Sequence, residues 1–374
     1  MRKERLGDLC TIVSGGTPAR SNMDFWNGGD IPWIKISNIK GKYVTEADEY
    51  ITQAGLDNSS AKMLSQGTIL YTIFATLGEV GILDFDACTN QAIAGITIKD
   101  TSRLLTDYLY YYLKAQKNYV AEIGRGVAQN NINMSILRNF EVPLPAMQEQ
   151  HAIVELINHV EMIIQVRKRQ LRALDTLIKA RFVEMFGDRW SNDKEWPIST
   201  LEKVADFYNG KPHEQVIDEN GEYVLVTSRC IASEGQDVRR TKELLFPLRT
   251  GDICMVMSDV PNGKALAKCM FIDCDGKYSL NQRICCFRNY RCNPRFLFYL
   301  LNRHEYFLSY NDGDSQTNLR KGDLLACPMI IPPLELQDQF AAFVSQVDKS
   351  KAVVRKALEE AQLLFDSLMQ KYFN

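Results

Sequence analysis

Ten cysteines and four histidines are the residues of this chain whose types could hold a metal or attack a substrate. Five of the thiols, Cys269, Cys274, Cys285, Cys286 and Cys292, fall in one short stretch. Zinc sites favour cysteine pairs with roughly two to four residues between them. Cys269 and Cys274 stand at the edge of that spacing, and the adjacent Cys285 and Cys286 are poor geometry for one ion. Ile284, Cys285, Cys286 and Phe287 read instead as a buried strand, so these thiols are expected in a core. His151 and His159 lie eight apart on one helix, not at the four-residue spacing of a metal pair; His213 and His304 complete the set. No N-P-P-[YF] or D-P-P-Y motif for adenine methylation is present, nor a G-x-x-x-x-G-K-[ST] phosphate loop, nor a P-D…E-x-K nuclease pattern. Gly124-Arg125-Gly126 is too short for a dinucleotide loop and lacks its strand-to-helix context. There remains a set of polar and basic residues in loops. In the first half these are Lys35, Ser37, Asn38, Lys40, Lys42, Thr76, Arg125, Gln129 and Asn130. In the second they are Ser228, Arg229, Lys264, Gln316, Asn318, Arg320 and Lys321. Arg and Lys pair with guanine, Asn and Gln with adenine, and Ser and Thr position phosphates or bases. That is the chemistry of a reader that depends on a partner for catalysis.

Two long stretches must position those loops. From Gln148 to Phe186 neither Pro nor Gly interrupts the chain. Apolar residues at Ile157, Val160, Ile164, Leu171, Leu174, Ile178 and Met185 alternate three and four apart, with Arg167 and Arg181 in the gaps. This is a heptad seam, and it predicts one helix with a coiled-coil face. At ~1.5 Å per residue it would span roughly 60 Å. A helix that long needs a partner, and the seam recurs near the C-terminus. There Phe340, Val344, Val347, Val354, Leu358, Ala361, Phe365, Leu368 and Tyr372 carry it, with Lys351 in one slot. The charged outer faces hold Glu155, Glu161, Arg169, Arg172 and Lys179 on one helix and Lys349, Arg355, Lys356 and Glu359 on the other.

The rest of the chain repeats. LGDLCTIVSGGTP from Leu6 is answered by LEKVADFYNGKP from Leu201. Each predicts a short helix, a strand and a Gly/Pro turn. GDIPWIKISNI is answered by GEYVLVTSRCI, and GTILYTIFATLGEVGIL by GDICMVMSDVPNGKALA, a strand–turn–strand pattern. TNQAI matches LNQRI, DYLYYYL matches RFLFYLL, and GRGVAQNNIN matches GDSQTNLR. VPLPAMQEQ and IPPLELQDQ each lead into a long helix, their prolines stopping a strand and setting the heading of the helix. Matched segments lie roughly 190 residues apart, so this is a duplication and not a short-period solenoid. The aromatics Tyr108, Tyr110, Tyr111 and Tyr112 point in all directions around their helix, which predicts core packing over a stacking platform.

Length and composition fit this organisation. With 374 residues, two or more domains are expected and core burial is not limiting. The chain is 45% hydrophobic and 24% charged with a net charge of −2, which counts against nucleic-acid binding by bulk charge and leaves room for a local basic face. Apolar runs fall short of the roughly 18 residues of a membrane span, and no signal peptide is visible. Reduced thiols in the cytoplasm are the expectation.

The doubled pattern resembles the specificity subunit of Type I restriction–modification systems. The resemblance rests on LGD…SGGTP, on the G-x-x-x-Q-x-N-[IL] loops, and on PLPAMQEQ and IPPLELQDQ before long helices. It implies an α+β protein with two similar α/β target recognition domains. A long antiparallel two-helix coiled coil would separate them, in an internal duplication with pseudo-two-fold symmetry. The expected boundaries are 1–146 for the first domain, 147–187 for the central helix, 188–195 for a linker, 196–335 for the second domain and 336–374 for the last helix. Each domain would read one half of a bipartite double-stranded DNA site. Methyltransferase (modification) subunits would dock on the helices and a restriction subunit would join. The chain would hold no cofactor itself, S-adenosylmethionine being bound by the methyltransferase subunit. Two rival readings are a coiled-coil adapter that grips proteins and a thiol- or zinc-dependent enzyme built on the cysteines.

Overall fold

A computed structural model of the chain describes residues 2–125, 131–261 and 263–373. The chain divides into two compact units, one of residues 1–168 with 356–374 and one of residues 169–355. Each long segment is one unbroken helix of 40 residues, Met147–Phe186 and Leu334–Phe373. The first stops at Gly187, whose φ of +76° favours a residue without a side chain, and whose N–H donates to the Val183 carbonyl at 2.8 Å.

In the first unit a five-stranded sheet runs in the order Cys10–Ser14, Ile93–Ile98, Ile69–Thr72, Val80–Leu83, Tyr43–Val44. A three-stranded sheet places Ile31–Ile34 between Glu49–Ile51, antiparallel, and Cys88–Thr89, parallel. A two-stranded ladder joins Lys3–Arg5 to Glu141–Pro143. The helix Thr106–Ala115 packs its aromatics inward: Tyr108, Tyr110, Tyr111 and Tyr112 are all buried, and burial pushes their phenols above the usual range. Sheet, aromatic helix and parts of both long helices share one core, in which Ile153, Ile157, Val160 and Ile164 meet Ala361, Phe365, Leu368 and Phe373.

The second unit repeats the plan. Its main sheet runs Asp206–Asn209, Ile284–Arg288, Ile253–Val256, Cys269–Phe271. Its three-stranded sheet again has one antiparallel and one parallel neighbour, Arg239–Thr241 and Tyr278–Leu280 around Tyr223–Val226. Its two-stranded ladder joins Ile198–Thr200 to Pro328–Ile330. Here Ile178, Phe182 and Phe186 share a core with Phe296, Phe340, Val344 and Val347. Leu171, Leu174 and Val354 are half-buried, as is Leu358 in the first unit. Lys351, expected in one slot of the seam, is buried at 6% exposed, and its ammonium lies 2.5 Å from Asp175. The ten cysteines are free thiols, nine of them buried. Cys254 and Cys286 face one another across neighbouring strands, and burial raises Cys292 to about 12.

The repeated Gln of the two motifs has a mechanical role that its spacing alone did not show. Gln150 is buried, donates to the carbonyls of Pro145 (3.0 Å) and Arg103 (2.8 Å), and accepts the Leu105 N–H at 3.0 Å. Gln337 donates to the Pro332 carbonyl (2.8 Å) and accepts the Asn293 N–H (2.8 Å). In each unit one amide side chain therefore locks the first turn of a long helix to the start of the aromatic helix.

Candidate nucleic-acid interface

In each unit the segment after one strand of the main sheet pairs with a segment from later in the chain. In the second unit the strand Ile253–Val256 runs on to Ser258 and Asp259, which pair antiparallel with Asn318 and Thr317. The Leu319 N–H donates to the Met257 carbonyl at 2.8 Å. A carboxylate oxygen of Asp259 accepts the N–H groups of Ala265 (2.6 Å) and Leu266 (3.0 Å), folding back the loop that carries Lys264. Lys264, Gln316 and Asn318 thus stand exposed on adjoining segments. Arg320 and Lys321 come next, at the start of the helix Lys321–Leu325, both exposed. In the first unit Phe74 bridges to Asn131, and the Ile132 N–H donates to the Ile73 carbonyl at 3.1 Å. Thr76 is exposed, and its carbonyl accepts the Thr72 hydroxyl. Gln129 and Asn130 lie outside the described residues. Arg125 closes the helix Lys117–Arg125, with its side chain also outside them.

The remaining candidates divide by their partners. Ser37 is exposed, whereas Asn38 is 3% exposed and its amide oxygen accepts the Lys35 N–H at 2.9 Å. Asn38 therefore closes the turn from inside, a scaffold role for a residue expected on the surface. Lys35 lies 2.6 Å from Glu49, which also pairs with Arg20. Burial pushes the Glu49 carboxyl up, but hydrogen bonds from Lys35 and Arg20 outweigh it and hold the group below its usual range. Arg20 in turn sits 3.7 Å above the ring of Trp26. Lys40 pairs with Glu46 at 3.0 Å on the open surface. Lys42 is turned inward: it lies 2.9 Å from Asp107 and 3.3 Å from Asn158 on the long helix. The Tyr111 hydroxyl lies 2.6 Å from the Asn158 amide oxygen and 2.8 Å from the Glu161 carboxylate, and Lys114 pairs with Glu161 at 2.7 Å. Burial raises the Glu161 carboxyl, and Lys114 and Tyr111 more than reverse that. Lys42, expected in a reading loop, and Glu161, expected on the outer face of the helix, thus join the helix to its domain. In the second unit Ser228 is half-buried at the start of the helix Ser228–Ala232, and Arg229 is exposed beside it.

Arg189 carries no mark in the sequence that would single it out. Its guanidinium donates to the carbonyls of Tyr299, Leu300 and Asn302 at 3.0 to 3.1 Å and of Arg303 at 2.8 Å, and meets Glu305 at 2.9 Å. Trp190 packs against His304 beside it. Among the described residues no group of three or more His, Cys, Asp and Glu is placed to hold a metal ion. No described helix is long and apolar enough to cross a membrane.

Comparison with known proteins adds to this geometry. A family model described as "Type I restriction modification DNA specificity domain" matches residues 1–175 and 193–362. The chain is 29% identical over 190 residues to the Type I restriction enzyme MjaIX specificity subunit of Methanocaldococcus jannaschii, covering 50% of this chain and 43% of that protein. It thus spans less than half the length of that relative. To the MjaVIII specificity subunit of the same organism it is 22% identical over 390 residues, covering 96% of this chain and 88% of the other. The fold is shared with the crystal structure of a Type I restriction-modification S subunit from M. genitalium. There the TM-score is 0.56 at 16% identity, over 100% of this chain and 96% of that one.

Proposed function

The chain belongs to the Type I restriction modification DNA specificity family, and from that membership we propose that it reads a bipartite double-stranded DNA site, one half with each unit. As a specificity subunit it is the non-catalytic member of such a system. Methyltransferase subunits, carrying S-adenosylmethionine, dock on the long helices and modify adenine, and a restriction subunit joins them. The observation that carries this reading is that the same loop pairing recurs in both units on different residues, Phe74 with Asn131 in one and Ser258 and Asp259 with Asn318 and Thr317 in the other. One covalent chain bearing two similar but unequal readers suits two unequal half-sites, where a homodimer would require a palindrome.

The two helices act as the spacer, an antiparallel coiled coil along the shared seam. In support, the early turns of one helix share a core with the late turns of the other in the first unit, and the reverse pairing holds in the second. A span of roughly 60 Å exceeds the ~34–36 Å between half-sites one helical turn apart. Arg229→Ala and Gln129→Ala, each tested in the assembled methyltransferase, are expected to relax methylation at one half-site only. Unchanged sequence specificity in both variants contradicts the assignment of these loops.

A further inference from the structure

The Asn-Gln pair that recurs in TNQAI and LNQRI lies outside the loops proposed to meet DNA, yet both units build the same turn around it. In each three-stranded sheet two parallel strands end side by side, Ile31–Ile34 with Cys88–Thr89 and Tyr223–Val226 with Tyr278–Leu280. The asparagine after the second strand donates its N–H to the end of the first: Asn90 to the Ile34 carbonyl at 3.1 Å, Asn281 to the Val226 carbonyl at 3.2 Å. Its amide oxygen accepts the N–H two residues on, from Ala92 at 3.1 Å and from Arg283 at 3.3 Å. The asparagines therefore shape the turn. A glycine lets the entry loop of each unit press against it. A Cβ on Gly15 would lie 2.2 Å from the Asn90 carbonyl oxygen, and one on Gly210 would lie 2.0 Å from that of Asn281.

The glutamine is what this turn presents. Gln91 and Gln282 are both exposed, and each is tethered at one end of its amide by a residue of the entry loop. The Thr17 hydroxyl donates to the Gln91 oxygen, which leaves the Gln91 amino group without a partner among the described residues. In the second unit the tether is reversed. The Gln282 amino group donates to Glu214 at 3.0 Å, and the Gln282 oxygen is the atom left without one. A carboxylate only accepts, so Glu214 fixes which way that amide faces. The surroundings suit a polyanion. Lys211, bridged to Asn281, is exposed, as are Arg283 and Arg229 beside the same strand ends. In the first unit Lys35 follows Ile34 at the corresponding place.

We infer that Gln91 and Gln282 are specificity-determining residues that meet base edges with opposite ends of the same amide. Gln91 donates to a base oxygen, as guanine and thymine offer, and Gln282 accepts from the exocyclic amino group of adenine or cytosine. Thr17 and Glu214 are positioning residues that set which end is offered. An amide carries both a donor and an acceptor, so turning it over changes what it reads. One residue shared by both units can in this way serve two unlike halves of a site. The inference rests on the proposed reading of a bipartite DNA site.

The test maps methylated adenines in DNA modified by the assembled complex. Gln91→Ala and Gln282→Ala are each expected to weaken the preference for one base at one position by about ten-fold or more, in different halves of the site, while every other position keeps its preference. Gln91→Glu, which only accepts, is expected to move its position toward adenine or cytosine. Glu214→Gln releases the Gln282 amide and is expected to broaden the position that Gln282 reads. Both glutamines are exposed, so the fold is retained, as circular dichroism will confirm. Suppose the unaltered complex methylates a bipartite motif that Arg229→Ala degrades. A glutamine variant that then keeps every base preference, or loses methylation at all positions alike, overturns the inference and leaves the reading of DNA standing. If the unaltered complex methylates no bipartite motif, that reading fails and the inference fails with it.

Discussion

His304 is the residue whose chemistry is most altered by its surroundings. It is 1% exposed, and its Nδ1 accepts the Tyr306 N–H at 3.2 Å, so the neutral ring carries its proton on Nε2. Burial, and then the nearby Arg189, push its pKa down to about 4. In the unfolded chain it titrates near ~6.5. Between those values the unfolded state binds more protons, so this contribution is complete above pH 6.5 and is lost as pH falls toward 4. The shift corresponds to at most about 3 kcal/mol. Urea unfolding at pH 7 and pH 5 is expected to show the loss, and His304→Asn, which can keep the cap, is expected to flatten it. At the same scale, Lys264 and Lys321 should act through phosphates: each alanine variant is expected to weaken DNA binding and reduce the salt slope by about 1. Polarity in the sequence located the loops but not which of their side chains face outward. Asn38 and Lys42 are as polar as Ser37 and Lys40, yet one closes a turn and the other meets a long helix. Nothing in a string of residues distinguishes Lys42 from Lys40, because the partners of Lys42, Asp107 and Asn158, are remote in sequence.

At the scale of elements the two long helices were legible, since stretches free of Pro and Gly with apolar residues at helical spacing leave few alternatives. The repeat was legible because the main sheets share four strands in order, although the edge strand Tyr43–Val44 of the first has no counterpart among the described residues of the second. The linker was not: GDRWSNDKEW reads as polar and turn-rich, while Arg189 is fixed by carbonyls roughly 110 residues away. Two consequences can be measured. Gln150→Ala and Gln337→Ala each leave buried backbone groups without partners and are expected to cost about 1–3 kcal/mol by denaturant unfolding. Lys351 is a buried charge in an apolar seam whose partner Asp175 is largely exposed. Asp175→Asn is expected to destabilise by about 1 kcal/mol, solvent screening reducing the effect. Lys351→Leu should be neutral or stabilising, while loosening the register that one charged seam position specifies.

At the scale of the whole molecule, two units whose main sheets share four strands in order carry different residues on the loops after them, and each unit includes part of both long helices. A DNA reader built this way binds with a steep dependence on salt, which an adapter for proteins lacks. On the proposed reading it is also expected to separate its errors: a change in the loops of one unit should alter one half of the site and leave the other half and the spacing intact. Sequencing of methylated adenines in DNA modified by the assembled complex tests this most directly. The expected result is one motif of two unlike halves around a spacer of fixed length, with Arg229→Ala degrading one half alone. A palindrome, a single unbroken motif, or a variant that erodes both halves equally would contradict it.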